Sequence, residues 1–205
     1  MYDVDVDENC GYHAVTEQLG IFETAVSRGM TPCRYARMSM SEQLVKNRSF
    51  YEQLVGHGDG FDNMYAQVLG PEQEMEFLPS QYWMKMPLCG HLVADTFNCV
   101  VHYITPTVEV TFTPKWKKCE GSLKKRIVVL AFVNGNHFVI PKLEDNCPLP
   151  PVCGMVKNKD LDPNIWKGWM KLYEENHQFL DALALSKKPL QEEEMQLNTC
   201  GSDDE

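Results

Sequence analysis

A chain of 205 residues, 43% hydrophobic and 23% charged, has the length and usage of one ordinary globular domain with tails. That composition excludes collagen and wholesale disorder, and no apolar stretch approaches the ~18 residues of a membrane-spanning helix. The formal charge of −10 is unevenly placed. Six acids (Asp3, Asp5, Asp7, Glu8, Glu17, Glu23) precede the first base, Arg28. Six more (Glu192, Glu193, Glu194, Asp203, Asp204, Glu205) follow residue 188 with no base among them. Residues 28–188 carry all 19 bases against 17 acids. A nearly neutral body does not support nucleic-acid binding by overall charge. No N-terminal segment joins a basic start to an apolar run, so no secretory signal is expected. Eight scattered cysteines without a CxxC pair then read as reduced thiols of a cytoplasmic or nuclear protein.

In chain order, Tyr2–Val6 alternates apolar and acidic side chains and reads as a short extended segment. From Gly11 the period becomes helical, with Tyr12, Val15 and Leu19 on one face and Gly20 as the stop. Residues 31–46 predict a second helix with Tyr35, Met38, Leu44 and Val45 as core contacts. Ser49 caps a third, ended by Gly56-His57-Gly58, and a fourth covers 61–69 before Gly70-Pro71. A helix over Gly90–Asn98 follows the apolar, irregular stretch 82–87. Strands then dominate: 100–104, the alternating 108–112, and the strongest apolar run, 127–133. Asn134-Gly135 predicts a two-residue hairpin turn, because both residues tolerate positive φ. Residues 138–140 return as its partner strand. An amphipathic helix from about Asn164 to Leu185 closes the chain, with Trp166, Trp169 and Tyr173 on its packing face. The order predicts an α+β domain over 1–186, N-terminal helices packed on a small C-terminal sheet with a closing helix, and an acidic disordered tail over 187–205.

The most informative stretch is Asp7-Glu8-Asn9-Cys10-Gly11-Tyr12-His13-Ala14-Val15. A thiol at a helix start meets unpaired amides and the positive end of the helix dipole, which favour thiolate. The same amides can donate to the oxyanion formed when a thiolate attacks a carbonyl. The acids Asp7 and Glu8 oppose that effect, which increases the need for a basic partner. Gly11 is expected to let a substrate backbone approach. The bland alternative is that Cys10 is a small buried packing residue.

His137 is the best-placed base, held after a strong strand and its turn. His13 lies one turn beyond Cys10 and either flanks the site or is a plain helix-surface residue. His57 sits in a glycine-rich turn and His177 on the closing helix. Cys89-x-His91 and Cys99-x2-His102 offer four zinc-type ligands, but their helix-to-strand context and irregular spacing argue against a metal site. No metal or cofactor is assigned. Lys115, Lys117, Lys118, Lys124, Lys125 and Arg126, with Trp116 among them, form either a nucleic-acid or acidic-partner patch or, more simply, a solvated loop between strands.

Asp7-x-Asn9-Cys10-Gly11-Tyr12-x-Ala14-Val15, together with Asn136-His137-Phe138-Val139 after a hydrophobic strand, resembles the ovarian tumour (OTU) family of cysteine proteases. The segment Trp83-Met84-x-Met86-Pro87-x-x-Gly90-His91-Leu92-x-Ala94 is similar to OTU-like domains of transposon-related proteins. The resemblance covers roughly residues 3–150. It implies an OTU-like fold with Cys10 as nucleophile, His137 as base and then acid, and Asp7 shaping the oxyanion loop or completing the site. Glu8, Asn9 and Gly11 support that loop. The implied substrates are ubiquitin or ubiquitin-like protein conjugates. The family often carries Asp or Asn two residues after the histidine. Here that position is Val139, which leaves Asn134, Asn136 or Asp7 to orient the imidazole. Tyr12, Trp83 and Phe138 are candidate pocket walls. The alternative is a catalytically inactive OTU-like binding module of a transposon-derived protein.

Overall fold

The computed structural model describes residues 2–4, 8–71, 75, 77–118, 127–142, 150–153, 162–165 and 167–171. Its elements run β1 (Tyr2–Asp3), α1 (Cys10–Leu19), α2 (Phe22–Ser27), α3 (Pro32–Lys46), α4 (Arg48–Val55), α5 (Asp59–Leu69), α6 (Leu88–Phe97), β2 (Val100–Ile104), β3 (Glu109–Phe112), β4 (Ile127–Val133) and β5 (His137–Ile140). This is an α+β chain, helices first and sheet after. The five strands order β1-β5-β4-β2-β3, with β2 and β4 parallel and every other pair antiparallel. Among the described residues, no helix is long and apolar enough to cross a membrane.

Local chemistry accounts for the element ends. Gly20 stops α1 in the left-handed region, φ 60°, where a side chain would be strained. Thr31 caps α3 by accepting the Arg34 amide, with Pro32 at the first helical position, where its missing N–H costs nothing. The cap of α4 is Asn47, not Ser49, which lies inside the helix. α2 is a six-residue helix that the sequence pattern did not reveal, since only Ala25 on it is buried. On α3 the buried face carries Cys33, Ala36, Arg37, Met40, Ser41 and Leu44. Of the expected contacts there, Leu44 is buried, Tyr35 and Met38 are half-buried, and Val45 is exposed. The apolar pattern misleads because a charged residue, Arg37, takes the inner position.

The core lies between the sheet and α1, α3 and α6. Tyr12, Val15, Met40, Leu44, Leu92, Val101, Phe112, Val128 and Leu130 belong to one buried cluster. Each such large apolar side chain contributes roughly 1.5–3 kcal/mol by leaving water. A Cβ at Gly90 would strike the Phe112 ring, so glycine is what lets α6 lie against β3. A polar network joins α6 to the segment after β3. Asp95 accepts from the Tyr51 hydroxyl at 2.7 Å and from the Lys115 amide at 2.7 Å, and its second oxygen lies 3.4 Å from Lys115 Nζ. Burial pushes the Asp95 carboxyl up and the Lys115 ammonium down, and the attraction between them opposes both shifts. Lys115 Nζ also lies 2.8 Å from His91 Nδ1. An ammonium only donates, so that nitrogen is the acceptor.

The expected basic patch is therefore interrupted. Lys115 is buried among Asp95, His91 and the Phe50 ring. Trp116 stands edge-on to Phe50, 5.4 Å between centroids. Lys117 and Lys118 are exposed. Lys124, Lys125 and Arg126 lie outside the described residues, as do the tail from 187 and the closing helix beyond 171. Of that helix, 163–165 and 167–171 are helical, and Trp169 is buried with its indole N–H on the Lys117 carbonyl at 3.0 Å. Trp166 and Tyr173 are outside the described residues.

Two buried histidines make stability depend on pH. Burial lowers His102 to about 4, and burial, reinforced by the Lys115 charge, lowers His91 to about 3. Thr111 gives its one hydroxyl proton to the Pro150 carbonyl at 2.6 Å, so His102 Nδ1 donates to Thr111 at 2.8 Å. Below about pH 6.5 an unfolded histidine takes a proton that either folded site refuses, so stability falls as pH drops toward 4. By about pH 4.5 each site costs roughly 2 kcal/mol. Thermal melts across this range should show the loss, and His102→Asn should make the slope shallower. A flat profile would contradict the assignment.

Candidate active site

Cys10 is the first residue of α1, and it is held from the sheet side. The Phe138 amide, second in β5, donates to Cys10 Sγ at 3.4 Å, and Cys10 as a residue is 7% exposed. The far end of α1 is tied as well. β4 pairs with β5 only over Ala131–Val133. At Val129 the Gln18 side chain takes over, accepting the backbone N–H at 2.8 Å and donating to the C=O at 3.0 Å. A helix pinned at both ends holds its first residue at a set height above β5.

The turn before Cys10 is fixed by Arg37 from α3. Its Nε and Nη2 donate to Asn9 Oδ1 at 3.2 and 2.8 Å. Nη2 also donates to the Tyr82 carbonyl at 3.1 Å, and Nη1 to the Gln67 and Val68 carbonyls at 3.1 and 3.2 Å. All five guanidinium N–H groups are thereby used. The charge is 4% exposed and sits 3.8 Å over the Tyr12 ring. Gln67 and Val68 belong to the last turn of α5, so the cation meets the negative end of that helix. Arg34 continues the arrangement, donating to the Leu69 and Pro71 carbonyls at 3.1 and 3.3 Å.

His137 opens β5 after a turn in which Asn134 and Gly135 have φ 55° and 75°. Positive φ at both was expected, but the connection has three residues rather than two. Strand pairing resumes at Val133 with His137, and the Asn136 amide closes the turn on the Val133 carbonyl at 3.3 Å. The extra residue makes His137 the first strand residue. There it lines, with Cys10, a cleft of about 960 Å³. Glu8, Gly11, Asn134 and Asn136 line the same cleft, so six of the eight residues singled out from sequence meet there. Asn9 does not line it; its side chain is turned to Arg37 as a support of the loop. Asp7 lies outside the described residues. Val139 is buried in the sheet between Asp3 and Ala131.

Gly11 also has a packing role that its sequence context does not show. A Cβ there would come 2.9 Å from Met84 Cβ, 3.0 Å from Met84 Sδ and 3.1 Å from the Phe138 ring. On its Cβ side the space is filled by the protein's own core, so the glycine admits close packing there, while the residue also lines the cleft. Trp83 and Phe138 are cleft walls, whereas Tyr12 is not: it is fully buried beneath Arg37.

The other described histidines are engaged elsewhere. His13 Nδ1 lies 3.3 Å from Cys33 Sγ, and exposed His57 lies 3.4 Å from Glu52. His177 is outside the described residues. The zinc-type residues make separate bonds: Cys89 accepts from Gln67, Cys99 donates to the Val93 carbonyl, His91 meets Lys115 and His102 meets Thr111. Burial pushes the Cys89 thiol up to about 11, which makes it a poor ligand. No group of three or more metal-type ligands occurs among the described residues.

Several cleft residues carry no sequence motif. Phe77, Tyr103 and Phe132 arrive from three separate segments, and Phe77 remains 67% exposed. Arg37 did have a signal. It stands between Cys33, Met40 and Leu44 at helical spacing, on the face that the apolar residues mark as buried.

Gly11→Ala should displace Met84 and Phe138, costing about 1–3 kcal/mol by overpacking and slowing reagents that reach Cys10. Denaturant melts and thiol labelling would check both; an unchanged midpoint would show that the contact yields freely. In comparisons with known proteins, no family model matches the chain and no curated protein matches it.

Proposed function

We propose that this chain is an OTU-type cysteine protease that cleaves isopeptide or peptide bonds of ubiquitin or ubiquitin-like conjugates. The observation that carries the reading is that Cys10, at a helix start, and His137, at a strand start, line one cleft, with the Phe138 amide on the sulfur. In this scheme His137 takes the thiol proton and Cys10 attacks the carbonyl carbon. The first amides of α1 receive the developing negative oxygen. The amine leaves with the proton returned by His137, and water then attacks the thioester by the same route. Asn134 and Asn136, beside His137 in the cleft, are the candidate orienters of the imidazole. The α+β order, helices before a sheet whose hairpin presents the histidine, agrees with the sequence resemblance on which the family assignment rests.

A second reading, an inactive OTU-like binding module, is favoured by one observation. Val139, where an orienting Asp or Asn is expected, is buried in the sheet and offers no acceptor. Loss of an orienting group can lower rates by several orders of magnitude.

Ubiquitin bearing a C-terminal electrophile separates the two. The protease reading expects a covalent adduct on the wild type, none on Cys10→Ala, and a rate lower by about 10²–10⁴-fold on His137→Ala. No adduct on the wild type, or an undiminished adduct on Cys10→Ala, sinks it.

A further inference from the structure

We propose that Arg37 is a positioning residue for chemistry at Cys10: it holds the Asn9 carboxamide away from the start of α1, so that the Gly11 amide stays open to an anionic oxygen. The inference rests on the reading of Cys10 as an acyl-transfer nucleophile.

Asparagine is among the strongest helix-capping residues, using its side-chain oxygen on the second or third amide of the helix. Asn9 occupies the capping position of α1, but Arg37 holds its side chain while its backbone, at φ −102° and ψ 7°, is turned away from the extended form a side-chain cap needs, and it makes no such cap. Its oxygen receives Arg37 Nε and Nη2 at 3.2 and 2.8 Å. Arg37 is in turn fixed by its three other N–H bonds, to Gln67, Val68 and Tyr82, and by the Tyr12 ring beneath it. The amides of Tyr12 and His13 already donate to the Asn9 carbonyl at 2.7 and 2.9 Å. The Gly11 amide, one position earlier in a residue that lines the cleft, is therefore the one a released Asn9 side chain would take.

The chemistry explains why that matters. When the thiolate sulfur bonds to a carbonyl carbon, the C=O electron pair moves onto oxygen. His137 holds the thiol proton meanwhile. On collapse the pair returns, the bond to the leaving group breaks, and that group takes the proton from His137. The oxygen needs a donor while it is charged, and an amide engaged by its own cap is a poorer one. Through the Tyr82 carbonyl, the same guanidinium also sets the segment that carries Trp83 and Met84 into the cleft wall.

Two reagents on Cys10, followed by mass spectrometry, test this. With iodoacetamide the thiolate sulfur displaces iodide from carbon and builds no oxyanion; p-nitrophenyl acetate acylates through one. Arg37→Lys keeps the charge and loses the fork on Asn9. It should slow acylation about tenfold or more while alkylation stays within about twofold. Asn9→Ser leaves Arg37 in place and supplies a short capping hydroxyl; it should give the same split, and it serves if Arg37→Lys does not fold. A purely structural Arg37 changes both reactions alike or neither, and either result would overturn the proposal. A wild type that shows the split but forms no ubiquitin adduct loses the ubiquitin reading alone. A wild-type Cys10 inert to both reagents removes both.

Discussion

The buried guanidinium of Arg37 is the constraint on which the site depends. A charge taken out of water costs several kcal/mol unless its hydrogen bonds and field are replaced. Among the described residues the replacement is complete without a carboxylate: five hydrogen bonds to four oxygens, the negative end of α5 and an aromatic face. Such an arrangement admits one geometry. It joins α3 to the turn before Cys10, to the end of α5 and to the segment at Tyr82. Three pieces of chain with no regular pairing between them are thereby set at fixed distances around one cation. Losing one partner of a buried charge typically costs about 3–5 kcal/mol, so this junction resists loosening.

The sheet supplies the complementary constraint. Gln18 extends the β4 edge where β5 ends, and the Phe138 amide meets the Cys10 sulfur at the other end of α1. Helix and hairpin are thus located against each other by two α1 side chains, Cys10 and Gln18, that meet backbone groups of β5 and β4. The Asp95–Lys115 network anchors the chain where it leaves β3 and packs Trp116 against Phe50. A stretch that reads in sequence as a basic arm is, at its start, part of the core.

The helix and strand order was legible because each element has a strong period and definite punctuation: Gly20 after α1, Thr31-Pro32 before α3, Asn134-Gly135 between β4 and β5. The proposed nucleophile and base were legible for a related reason, since each sits at an element boundary that the sequence marks. What the sequence concealed is tertiary. α2 buries only Ala25 and so has no apolar stripe to detect. Gly11 looks only like a substrate-facing glycine until Met84, more than seventy residues away, is seen to fill the space on its Cβ side. The three-residue hairpin differs from the expected two by a register that depends on pairing, not on local propensity. Arg37 and Lys115 resemble surface charges because their partners are mostly backbone carbonyls or residues distant in the chain.

In the proposed protease reading, Cys10 and His137 act as a pair because these constraints hold them in one cleft. The most direct measurement is the rate of thiol alkylation at each cysteine as a function of pH, in the wild type and in His137→Ala. The account predicts that Cys10 reacts faster than Cys153 at neutral pH, although Cys153 is the more exposed, and that the advantage is lost when His137 is removed. A Cys10 that reacts no faster than Cys153, or that is indifferent to His137, would contradict it.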